Sequence, residues 1–141
     1  METKNSNDRL IIADTSGLLS LAIDTDANHH LAVTAAKGLA DKQSMVVVPG
    51  EIFTETINAL GKRFGHARAI ETAQTLTESS ILLVIDTDEL IRLDALKIFR
   101  TAPAGVSFTD CLVMATADKY ETREIFGFDE IFSRQGYQLP S

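Results

Sequence analysis

The chain has 141 residues, 45% of them hydrophobic and 23% charged, which is enough to bury one core without staples and suits a single domain. Its net charge of −7, from 13 Lys and Arg against 20 Asp and Glu, argues against a nucleic-acid binder that works through a broad positive surface. One cysteine, Cys111, rules out an internal disulfide and reads as a packing residue in a reducing compartment.

The stretch Met1 to Arg9 is polar and lacks the apolar segment of a secretory signal, so residues 1–9 are expected to form a loose tail ahead of a single domain over 10–141. Leu10 to Ala13 is a short apolar run ending at Asp14, the pattern of a buried first strand. Thr15, Ser16 and Gly17 follow as a turn and helix start. Ala27 to Ala40 reads as a helix with Leu31, Ala35 and Leu39 on its apolar face. His29 and His30, at its start, read as surface residues. Met45 to Val48 is a second buried strand. Pro49 fits the first turn of a helix that Glu51 to Arg63 continue, with Ile52, Ala59, Phe53 and Leu60 as its apolar stripe.

Gly65 interrupts, and His66 to Glu78 read as a further helix. Ile81 to Ile85 is a third strand, and Thr87 caps a helix reaching about Arg100. Pro103 and Gly105 mark a loop, and Ser107 opens a helix to about Tyr120. Glu124 to Phe128 reads as a fourth strand, a short helical turn follows from Asp129, and Tyr137 to Leu139 as a last edge strand. Apolar runs such as Ile81 to Ile85 are far too short to cross a bilayer, so a soluble, cytoplasmic protein is expected.

Strands alternating with helices imply an α/β fold, three layers with a mostly parallel central sheet. In such sheets functional residues collect beyond the carboxyl ends of the strands, where Asp14, Asp86 and Asp129 stand. Each acid also has a plain structural reading. Asp14 could cap a helix. Glu51 and Glu55, four residues apart, share a helix face that could be solvated. Ser107-x-x-Asp110 has the form of a capping box, yet it opens a helix, Cys111 to Ala117, that is apolar on almost every side and therefore central. Asp129 could cap a short helix.

The order of these acids is more telling than any one of them. Asp14-Thr15-Ser16, Glu55 with Asn58 and Leu60, Ser107-x-x-Asp110 with Ala115 and Ala117, and Phe128-Asp129-x-x-Phe132-x-x-x-Gly136 together resemble the PIN domain family, in the form of the VapC toxin ribonucleases, over about Leu10 to Tyr137. The resemblance implies that Asp14, Glu55, Asp110 and Asp129 converge as catalytic and metal-binding residues, with Ser16 and Ser107 at the edge of the site. It differs at Gly127, where the family pattern has a hydroxyl residue near the last aspartate.

Two carboxylates about 4 Å apart repel by roughly 4 kcal/mol at an effective dielectric near 20, so such a cluster calls for cations. Carboxylate oxygens suit hard divalent ions, Mg²⁺ or Mn²⁺, and no Cys or His is placed to favour zinc. The resemblance then implies hydrolysis of RNA phosphodiester bonds, with RNA as substrate, a small cognate antitoxin as partner and a homodimer as the assembly. Leu31, Val33, Phe53, Ile57, Leu60 and Phe64 offer apolar helix surface for such contacts. The basic residues Lys62, Arg63, His66 and Arg68, and Arg92, Lys97 and Arg100, fit ordinary solvated helix surface and define no RNA path. Three rival readings are a catalytically inactive PIN-like binding module, a PIN nuclease of RNA processing, and a receiver-like domain phosphorylated on Asp86.

Overall fold

A computed structural model of the protein describes residues 9–140. The expected tail falls outside the described residues except for Arg9, which pairs with Glu124 and whose carbonyl accepts from Met45 N–H at 3.0 Å. The elements run β1 (Leu10–Ala13), α1 (Thr15–Ala22), α2 (His29–Asp41), β2 (Met45–Pro49), α3 (Gly50–Phe64), α4 (His66–Glu78), β3 (Leu82–Ile85), α5 (Glu89–Thr101), α6 (Phe108–Lys119), β4 (Ile125–Phe126) and α7 (Glu130–Arg134).

Among the described residues the sheet has the order β3-β2-β1-β4, with every pair parallel. Helices cover it to give a three-layer α/β/α architecture, α3 packing on α4 and α1, and α5 on α6. Ile11 and Ile12 of β1 and Val47 and Val48 of β2 are buried, as expected of strands covered on both faces. Residues Cys111 to Ala117 of α6 are all buried, which explains why this helix carries almost no polar face. No helix among the described residues is long and apolar enough to cross a membrane.

Several local expectations are corrected. On α2 the buried face is Ala32, Ala35 and Leu39, while Leu31 is exposed. On α3 it is Ile52, Thr56 and Leu60, spaced by four. Thr56 enters the core because its hydroxyl donates to the Ile52 carbonyl at 2.7 Å. Pro49 closes β2, and its extended ψ of 142° places it before the helix. Asp88, not Thr87, caps α5, accepting from Ile91 N–H at 2.9 Å. Thr87 instead donates to the Glu51 carboxylate. The fourth strand is only Ile125–Phe126, and Tyr137 to Leu139 contributes one isolated parallel bridge between Glu124 and Gln138.

The packing of α1 on β4 requires a glycine. A Cβ on Gly17 would collide with the backbone carbonyl of Phe126, which has no freedom to move because its oxygen accepts from Asp14 N–H at 3.0 Å. Gly17→Ala should therefore destabilise the protein by about 3 kcal/mol through overpacking, read as the shift of a urea unfolding curve. A wild-type midpoint for this variant would contradict the packing described.

Candidate active site

Asp14 is the first residue after β1 and the N-cap of α1. It is buried. Its Oδ2 accepts from Ser16 N–H at 3.2 Å and from Ser16 Oγ at 2.7 Å. The same Ser16 Oγ accepts from Phe128 N–H at 2.9 Å, so one hydroxyl joins the start of α1 to the segment leading to Asp129. Gly127 lets that segment approach, since a Cβ there would lie 2.8 Å from the Cβ of Asp14. A hydroxyl side chain at position 127 has no room in this arrangement, and Ser16 provides the hydroxyl from the other side of the seam.

Asp110 sits in the first turn of α6 and completes the capping box expected from sequence. Ser107 Oγ accepts from Asp110 N–H at 3.0 Å, and Asp110 Oδ2 accepts from Ser107 N–H at 3.3 Å. Asp129 occupies the N-cap position of α7 but makes no side-chain capping bond. Its carboxylate goes instead to the other two: one oxygen from each of Asp14, Asp110 and Asp129 lies within 4.8 Å of the others. Thus all three acids stand at helix N-termini, where the partial positive charge of the helix favours an anion.

The remaining predicted acid stands apart. Glu55 is exposed on α3 and borders a shallow groove with Thr54, Asn58 and Lys62, outside the group of three. Glu51, one turn earlier, is held by the Thr87 hydroxyl and so ties α3 to the segment before α5. Asp86 follows the edge strand β3 and is exposed. Sequence reasoning missed Gly127 as the residue that admits the seam. A glycine two residues before an acid at a strand exit was the available signal.

The electrostatics follow from this crowding. Among the described residues no Lys or Arg forms a salt bridge with any of the three. Burial pushes the Asp14 carboxyl above its ordinary range against the pull of the Ser16 hydroxyl, and the charge of Asp110 adds to the rise. Burial, then the charges of Asp14 and Asp110, push Asp129 up to about 7, although the residue lies at the solvent edge. A set of oxygen donors that repel one another and lack a counter-charge fits a hard divalent cation. Cys111, next to Asp110, is fully buried, and burial pushes its thiol up, which removes it as a nucleophile.

The PIN domain family model matches residues 7–136. Among solved structures, the crystal structure of Mycobacterium tuberculosis VapC20, a sarcin-ricin loop cleaving toxin, is similar with a TM-score of 0.78 and 26% identity, over 91% of this chain and 96% of that one. No curated protein matches the sequence.

The raised carboxyl of Asp129 gives a signed pH dependence. An unfolded Asp ionises near about 3.9, so between about pH 4 and pH 7 the folded chain holds a proton that the unfolded chain has lost. Stability of the metal-free protein should therefore fall as pH rises through that window and level off above it. Asp129→Asn should flatten the dependence. Urea midpoints measured across the window in a chelator test this, and an equally steep fall in the variant would refute it.

Proposed function

This chain belongs to the PIN domain family, and on that premise we propose that it is a metal-dependent endoribonuclease of the VapC toxin type, hydrolysing RNA phosphodiester bonds. The observation that carries this reading is the convergence of Asp14, Asp110 and Asp129 beyond the ends of β1 and β4, with no salt bridge to any of them among the described residues. The likeness to a toxin that cuts the sarcin-ricin loop supports RNA as the substrate class. An inactive binding module would leave three mutually repelling carboxylates without a purpose.

Asp14 and Asp110 would be the principal ligands and Asp129 the third, with Mg²⁺ or Mn²⁺ the ions their oxygens suit. Bound there, such an ion would supply charge compensation and Lewis acidity at the phosphodiester. The chain's own residues do the positioning. Ser16 fixes one oxygen of Asp14 by its hydrogen bond and holds the Phe128 backbone in register with it. Ser107 fixes the first turn of α6 and thereby the Asp110 carboxylate. Glu55, exposed on the α3 groove, would be a fourth acid of the site. A cognate antitoxin and self-association complete the proposal, supported by exposed apolar residues such as Leu83 and Val84 on β3 and Leu90 and Leu93 on α5.

Asp14→Asn and Asp110→Asn should each stay folded and lose RNA cleavage, and a strong chelator should abolish wild-type cleavage until Mg²⁺ or Mn²⁺ is restored. Wild-type cleavage rates from either purified variant would sink the assignment. Added to the metal-free protein, Mg²⁺ should also raise Tm, because it binds the folded state in preference to the unfolded one.

The two glutamates of α3 separate by role. Glu51→Gln weakens the bond to Thr87 and should cost about 1 kcal/mol of stability with cleavage kept. Glu55→Gln should leave stability unchanged and reduce cleavage strongly. Parallel unfolding and cleavage assays decide between them, and the opposite pattern would assign the acid's role to Glu51.

A further inference from the structure

Beside the three carboxylates runs a groove of about 370 Å³, lined by the acids Asp110, Asp129 and Glu130 and by Pro103, Val106, Ile131 and Arg134. We propose that this groove is a subsite for a nucleotide of single-stranded RNA flanking the cleavage point, with Arg134 holding its phosphate and the aliphatic wall taking its base. This rests on the ribonuclease reading above and adds to it the path of the strand.

The chemistry of the lining matches the two ends of a nucleotide. A phosphate needs a cation, and Arg134 is the sole Lys or Arg lining the groove among the described residues. A base needs apolar contact, and Pro103 and Val106, with the edge of the buried Ile131, give one side of the groove aliphatic carbon. The volume lies within the range of about 300–1,000 Å³ typical of small-ligand clefts. On a chain with a net charge of −7, one placed cation matters more than a diffuse surface.

Arg134 is also available. Its guanidinium pairs with Glu130, one helical turn back, at 3.0 Å, and both side chains are largely exposed at 68% and 80%. Such a pair contributes little to stability. A phosphate accepts two parallel hydrogen bonds from the same guanidinium, as a carboxylate does, and so competes with Glu130 for it. The rim opposite is open: Gly105 has a left-handed φ of 95° and nothing within 4 Å of where a side chain would begin. A strand can therefore pass over the loop without displacing a side chain there.

The test compares Arg134→Gln, Arg134→Lys and Glu130→Gln in the full chain, on a short labelled single-stranded RNA of mixed sequence. Arg134→Gln should raise KM about fivefold to tenfold with kcat kept, as expected for loss of one charged phosphate contact. Its salt dependence of log kcat/KM should become shallower by about 0.7. Arg134→Lys should retain most of the affinity, Glu130→Gln should lower KM, and the Mg²⁺-induced Tm shift should be unchanged throughout.

Unchanged KM and salt slope in Arg134→Gln would overturn the subsite while leaving the ribonuclease reading intact. Loss of the Mg²⁺ shift in that variant would also overturn it, since Arg134 would then act through the carboxylates. If the wild-type chain cuts no RNA, the ribonuclease reading fails, and fluorescence anisotropy on the same intact RNA decides the subsite alone, by whether Arg134→Gln weakens binding.

Discussion

Asp14 leaves β1 with its backbone N–H bonded to the carbonyl of Phe126, and this bond fixes where the carboxylates of two distant segments meet. Because β1 and β4 are parallel, both strands end on the same side of the sheet. The chain then turns away from each strand at once, into α1 from Asp14 and toward α7 through Asp129. Two glycines follow from that geometry. Gly17 lets α1 lie on the β4 backbone, and Gly127 lets the exit from β4 lie on Asp14. Once the seam is closed, the Ser16 hydroxyl links its two sides.

Like charges do not gather unless something holds them. Here the holding forces are backbone hydrogen bonds, the apolar burial of β1 and α6, and the N-terminal ends of three helices. The dipoles offset part of the repulsion at Asp110 and Asp14, whereas α7, at five residues, contributes least at Asp129. Burial, then the charges of Asp14 and Asp110, push Asp129 up to about 7. The site is thus built to hold more negative charge than its own structure neutralises, a condition that selects for a cation and disfavours a rigid, fully satisfied polar core.

The central strands were legible because they are short, apolar and end in acids, features that depend on chain-local burial. β1 is found as expected over Leu10–Ala13, and β2 extends one residue to Pro49. The acids at Asp14, Asp110 and Asp129 were legible only jointly, since each alone also reads as part of a helix start; Asp14 does cap α1, and Asp110 closes the capping box of α6. What periodicity did not reveal was the rotation of individual helices. Leu31 is more apolar than Ala32, yet Ala32 is buried and Leu31 is exposed. Both Thr87 and Asp88 can cap a helix, Asp the better by type, and the Thr87 hydroxyl is taken by Glu51, 36 residues away in the chain. Arg134 was invisible as a site residue because its groove is formed by a loop some thirty residues upstream, a relation of the folded chain.

Cys111 follows Asp110 directly and begins the buried run of α6. It is the chain's only thiol, fully buried, and held in its unreactive protonated form by burial and the neighbouring carboxylate. An alkylating reagent can reach it only when the start of α6 detaches. Its labelling rate therefore reports the free energy of that local opening, residue-specifically and without a mutation. The molecule carries its own gauge of how firmly the floor of its acidic site is seated, read in the native protein at a fixed pH.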